Sequence, residues 1–242
     1  MPEKELLPLF VLPMVLLPGE IQQLRVFEPR YRQMLDDCLL EEKKFGLVLN
    51  DPETLHNGWD GPSKYGCEAE IIQHETIGSN HFIEILGKRR FLVQDIIDPA
   101  LPPFSDDSMS DLIPQEGIFP DLQSIMERIP EESNYHKLYL AAEVEYIEDN
   151  VEISEVEEDD LKQLISSLLM NIGTEVIEVE AEVIEQWVSD RVSIMFSKDS
   201  NILYTIISMI VHDLETKHHL LGKTSNQEII DEVIEIMQNM VQ

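Results

Sequence analysis

Basic residues are scarce in this chain: 17 Lys and Arg stand against 48 Asp and Glu, giving a formal charge of −31 and a pI near 4.3. Such a surface repels phosphate backbones and anionic lipid, so no nucleic acid and no membrane is expected as a partner. Cysteine is scarcer still. Cys38 and Cys67 are the only two, neither with a second Cys or His at metal-ligand spacing. A disulfide framework and a zinc site are thereby removed, and buried thiols in a reducing compartment are favoured. No uncharged run reaches the ~18 to 20 residues that span a bilayer as a helix. The apolar start LLPLFVLPMVLLPG is broken by Pro8, Pro13 and Pro18 and preceded by Glu3, Lys4 and Glu5, unlike a signal peptide. A cytoplasmic protein is expected.

Proline is missing from the last third. All thirteen prolines lie at or before Pro130, and of the ten glycines only Gly173 and Gly222 come later, each placed as a helix C-cap would be. The chain therefore reads as two parts, a strand-and-loop part over 1–150 and an α-helical bundle over 151–242. In the first, LFVL, IQQLRVF and FGLVL are short β-rich runs. YGCEAEIIQHETI and HFIEILGKRRFLVQDII form a long hairpin turning at Gly78-Ser79. One helix, FEPRYRQMLDDCLLEEKK, interrupts the strands, with Pro29 in its first turn and Tyr31, Met34, Leu35, Cys38 and Leu39 on one face.

Residues 99–138 hold six prolines and the polar run SDDSMSD, which no continuous sheet can traverse. A weakly ordered excursion with one short helix, DLQSIMERI, is expected there. A strand returns at 138–149, and eight carboxylates then crowd the thirteen residues from Glu148 to Asp160 as a solvated lead-in. Four helices are expected to follow. The first carries a stripe from Leu161 to Ile172; the second carries Val183, Ile184, Trp187, Val188, Val192 and Met195. SNILYTIISMIV is apolar all round and belongs at the centre, a turn near Asp213 leads through LETKHHLL, and Ser225 with Glu228 caps the last helix.

The segment LPLFVLPMVLLPGEIQQLRVFEPRYRQML, FEPRYRQM above all, resembles the N-terminal substrate-binding domain of Lon proteases. The likeness continues through FGLVL, YGCEAEI, GKRRFLV and AAEVEYIED and, more loosely, into the helical part. It implies an α+β fold, a PUA-like β pseudo-barrel with an inserted helix followed by a helical bundle. It also implies a recognition module for unfolded or tagged polypeptides, with a protease or chaperone as recipient and no cofactor. Lon proteases continue into ATPase and proteolytic domains, for which 242 residues leave no room, so no enzyme is expected. The rival reading is a small-molecule binder or cryptic enzyme using a cleft between barrel and bundle.

Several fragments imitate chemistry. Gly222-Lys223-Thr224 ends like a P-loop, but the loop's first glycine would fall on Lys217. Asp60-Gly61-Pro62-Ser63 faintly resembles the residues around the Lon catalytic serine, yet reads as turn chemistry in a surface loop. His212, Glu215 and His219 share a face only if a helix runs unbroken past Asp213. Lys88-Arg89-Arg90, the one dense basic cluster, reads as pairing with Glu68 and Glu70 across the hairpin. Strict alternation would put Arg89 with Phe91 on one face and Arg90 with Leu92 on the other. Trp59, in the loop-forming NGWDG, is the first candidate contact for a polypeptide, although an aromatic there more often packs against the barrel; if it is a surface contact, its loss should leave stability nearly unchanged. Tyr65, Arg89 and Arg90 join it. Phe27, Glu28, Pro29, Arg30, Tyr31 and Phe91 are assigned structural roles. Phe27 is expected to be buried, stapling the first turn of the helix.

Overall fold

A computed structural model describes residues 4–112, 120–148, 153–176, 180–197 and 201–241. The fold is α+β, and the chain forms two compact units, Met1–Glu148 and Asp149–Gln242. Pro114 and the part of the acidic run at 149–152 lie outside the described residues.

Six described strands build the first unit: β1 (Lys4–Leu12), β2 (Ile21–Val26), β3 (Phe45–His56), β4 (Trp59–Ile77), β5 (Asn80–Ile97) and β6 (Ala141–Tyr146). β1 pairs parallel with β3, while β3–β4, β4–β5, β5–β6 and β6–β1 are antiparallel, so five strands close on themselves. Closure removes the unpaired edges that a flat sheet would expose. β5 is 18 residues long and is used twice, its first half against β2 and its second against β6. The hairpin turn falls on Gly78-Ser79, with Gly78 at φ 62 and Ile77 opposite Asn80.

One bulge overturns the expected facing of the basic cluster. Cys67 pairs with Arg90 and Ala69 with Gly87, which leaves Lys88 and Arg89 together opposite Glu68. The extra residue breaks the period of two, so Phe91 is wholly buried while the Arg89 side chain is 52% exposed. Phe91 fills the barrel with Leu9, Val48, Leu140 and Val144. Gly46 and Gly66 make its room: a Cβ on either would lie 2.5 Å from the Phe91 Cζ.

Helix α1 (Pro29–Glu41) turns Tyr31, Met34, Leu35 and Cys38 onto a core with Phe10, Phe45 and Ile85. Phe10 packs 4.2 Å from the Tyr31 ring and 5.8 Å from Phe45, and the Tyr31 hydroxyl donates to Val11 O at 2.8 Å. Burial pushes the Tyr31 phenol up, and the Cys38 thiol is pushed up to about 12 by burial, then by Asp37 and Glu41, which leaves it inert. Phe27 is not buried: it is 48% exposed, beneath the Arg25 guanidinium. Val26 already takes the inward position at the end of β2, so its neighbour must face out. A staple also lacks a partner, because the fourth helical position is Arg32.

The described part of the 99–138 excursion has a core of its own. A 3-10 helix (Asp107–Leu112) and the short α2 (Leu122–Met126) bring Leu101, Met109, Ile125 and Leu138 together, with Phe104 and Leu122 against them. The prolines end strands without preventing apolar side chains between them from clustering.

In the second unit α3 (Glu155–Val176), α4 (Ala181–Ser197), α5 (Ile202–Ile210), α6 (Leu214–Leu221) and α7 (Asn226–Val241) are five described helices, one more than expected, because LETKHHLL is itself helical. Asp213 caps α6, its carboxylate accepting from Thr216 N at 2.8 Å. α5 buries six of its nine residues, as a mostly apolar helix must. Gly173 lies inside α3, not at its end; a Cβ there would meet Ile184 Cγ2 at 2.8 Å, so the residue permits close approach to α4. Val183 and Trp187 stand exposed on α4, at 54% and 50%, while Ile184, Val188 and Val192 face inward.

Candidate functional site

The start of α1 carries an unusual stack. Glu28 is its N-cap by backbone, with φ −66 and ψ 133, but the carboxylate caps no backbone N–H; it accepts from Arg30 Nε at 3.0 Å. Pro29 suits the first helical position, where an N–H would have no partner inside the helix. The Arg30 guanidinium is thereby aimed between two rings, 4.1 Å from the Tyr31 centroid and 3.8 Å from that of Trp59.

Trp59 reaches this place because the two-residue turn Asn57-Gly58, both with positive φ, brings it back as the first residue of β4. Its indole N–H donates to Leu101 O at 2.9 Å, and Asn57 Nδ2 donates to Pro99 O at 2.9 Å, so the turn grips the start of the excursion. Between these parts lies an apolar recess of ≈40 Å³, floored by Leu101, Phe104, Met109 and Ile125 and rimmed by Glu28, Arg30 and Trp59. Space of that order holds one small side-chain end; pockets for cofactor-sized molecules run to about 300 Å³ and more.

A family model for the substrate-binding domain of the ATP-dependent protease La (Lon) matches residues 6–239. The chain belongs to the Lon substrate-binding domain family. Two solved structures share its fold: the Lon N-terminal domain protein of Xanthomonas campestris, at 18% identity with 96% of this chain and 98% of that one covered, and the N-terminal domain of a Mycobacterium avium complex Lon protease, at 16% with 97% and 99% covered. Each has a TM-score of 0.56. No curated protein matches.

The structure does not gather the other candidate residues of this Lon domain around Trp59. Tyr65 lies six positions further along β4, opposite Leu92, partly buried and beside the Lys64 ammonium. Arg89 belongs to a separate cluster around Glu68, a carboxylate 1% exposed that accepts from Arg89 Nη2 at 2.8 Å, Lys44 Nζ at 3.0 Å and the Tyr146 hydroxyl at 2.7 Å. The Arg89 guanidinium also lies 3.5 Å from the Tyr146 ring centroid. Burial alone would raise the Glu68 carboxyl; the hydrogen bonds from Arg89, Tyr146 and Lys44 outweigh it and hold the group below its ordinary range. Lys88 pairs with Glu70 at 3.1 Å. Arg90 is wholly buried and offers no surface to a partner in this conformation.

The imitation motifs dissolve on placement. Asp60 to Ser63 lie inside β4, with Gly61 opposite Asp51 and Pro62 opposite Asn50, so the segment is a strand and not the expected surface loop. His212 precedes the α6 cap, and the helix carrying Glu215 and His219 does not include it. Gly222 closes α6, and Lys223 pairs with Glu232 at 3.1 Å. Among the described residues no three His, Cys, Asp or Glu side chains converge as a metal would require, and no helix is long and apolar enough to cross a membrane. Sequence reasoning missed the contribution of Leu101, Phe104, Met109 and Ile125. Their only signal was apolar residues recurring through a proline-rich stretch.

Proposed function

We propose that this Lon-type domain is a non-enzymatic cytoplasmic recognition module that binds unfolded or tagged polypeptide and passes it to a protease or chaperone. Membership of a substrate-binding family supports the reading. The observation that carries it is the Trp59–Arg30 stack on the rim of an apolar recess. An indole with one face held by a guanidinium and its N–H already satisfied is a rigid anchor, able to bind without first being ordered. The recess takes one apolar side chain of an extended segment, and Glu28 with the net charge of −31 favours basic flanking residues. This recess by itself is too small for a cofactor-sized molecule.

The test is anisotropy of a labelled, reduced and carboxymethylated polypeptide against wild type, Trp59→Ala and Arg30→Ala, alongside assays for ATP hydrolysis and degradation. Wild type is expected to bind and both variants to bind at least ~10-fold more weakly, as loss of a central aromatic or arginine anchor implies. Neither ATP nor polypeptide is expected to be cleaved. Undiminished binding by Trp59→Ala would remove the site from the reading, and degradation abolished by Ser63→Ala would overturn it.

A further inference from the structure

We propose that the outer edge of β2 is a strand-addition site, on which a basic, extended polypeptide is hydrogen-bonded through its backbone. The proposal rests on the polypeptide-binding reading and names a second contact for the same occupant.

Closure of the barrel leaves β2 outside it. The sheet order is β2-β5-β4-β3-β1-β6, and β6 joins β1 to β5, so among the described strands β2 hydrogen-bonds to β5 alone. Gly87 N donates to Glu20 O at 2.9 Å, which makes residue 20 a hydrogen-bonded position of the ladder. Antiparallel pairs alternate, so Gln22, Leu24 and Val26 give their backbone groups to β5, and Ile21, Gln23 and Arg25 turn theirs outward. Among the described residues no backbone group takes these outward donors and acceptors. The side chains of the same three residues are exposed.

Exposed edges are usually blunted by lysine, proline, a bulge or a covering element. β2 has none of the first three: IQQLRV contains no Lys or Pro, and its register against Leu86–His81 runs through six consecutive pairs without a shift. An occupant must be extended, because only an extended backbone matches the spacing of alternate N–H and C=O groups. Side-chain recognition is then secondary, which suits ligands that share unfoldedness and not sequence. Basic character follows from charge: Glu75 and Glu84 line the groove beside Gln23 and Arg25 on the adjoining face, within a chain of net charge −31. The strand leads directly into Phe27 and Glu28, so an added segment would run toward the Trp59 recess.

The test uses the full chain and a short fluorescein-labelled peptide of alternating lysine and valine, with Gln23→Pro and Gln23→Ala as the variants. Proline at 23 removes an outward N–H and blocks the edge sterically, while the inward ladder bonds survive. Alanine removes only the side chain. Gln23→Pro is expected to bind at least ~10-fold more weakly and Gln23→Ala within about twofold of wild type, since main-chain bonds carry the affinity. A measurement on unaltered protein covers the case in which the proline variant does not fold: on saturation with peptide, amide exchange at Ile21, Gln23 and Arg25 slows, and that at Gln22 and Leu24 does not. Equal binding by all three proteins, with no alternating protection, overturns the edge; if Trp59→Ala still weakens the binding, the proposed function stands without it. No binding by wild type overturns both. A concentration-dependent dimer abolished by Gln23→Pro, without peptide binding, makes a second copy the occupant and overturns the proposal.

Discussion

The Arg30 guanidinium lies 3.8 Å from the centroid of the Trp59 ring, with its Nε held by Glu28 at 3.0 Å. A candidate contact residue is thus also a structural one. Trp59→Ala loses the stack, the hydrogen bond to Leu101 O and part of the excursion's anchorage, so it is expected to destabilise by about 1–3 kcal/mol instead of leaving stability unchanged. Arg30→Lys keeps the charge but not the planar face, and about 1 kcal/mol is expected. Chemical denaturation of both variants checks this; a Trp59→Ala midpoint equal to wild type refutes the anchoring role.

Tyr31 holds the core position expected of it, and Phe27 does not. Phe27 is half-exposed, and Phe27→Ala is expected to cost under about 1 kcal/mol. Tyr31 is buried and bonded to Val11 O, so Tyr31→Phe is expected to cost about 1 kcal/mol and Tyr31→Ala about 3–5 kcal/mol. Urea unfolding of the three variants orders them. Phe27→Ala as costly as Tyr31→Ala would contradict the exposure of Phe27.

Glu68 sets an acid limit on barrel stability. Its folded pKa is depressed relative to the unfolded chain, so its contribution is present above the ordinary glutamate value near ~4 and is lost as pH falls through the folded value. Glu68→Gln is expected to destabilise by about 1–3 kcal/mol at neutral pH, discounted because Arg89 is half-exposed, and to melt much closer to wild type at pH ~3. Thermal melts at both values test the sign; a gap that widens on acidification refutes it.

Much of this architecture was legible from local chemistry. Period-two apolar runs marked the strands, Gly78-Ser79 the hairpin turn, Pro29 the helix start and the loss of proline after Pro130 the helical unit, because each is decided by backbone sterics within a few residues. The burial of Tyr31, Met34, Leu35 and Cys38 followed from helical spacing in the same way. Most of what failed was non-local. The facing of Arg89 and Arg90 turned on a bulge opposite Glu68, which depends on how two strands align and not on either alone. Phe27 was displaced from the core by Val26, whose inward position is set by pairing with His81. Trp59 meets Arg30 across 29 positions of sequence, and the recess they rim is floored by a proline-rich segment without periodicity. Sequence by itself determined most of what would be strand, helix or turn, Asp60–Ser63 and LETKHHLL excepted, because those preferences are paid for locally. Tertiary structure alone decided which side chains meet, because long-range register and closure of the barrel choose among arrangements that local preference leaves equal in energy.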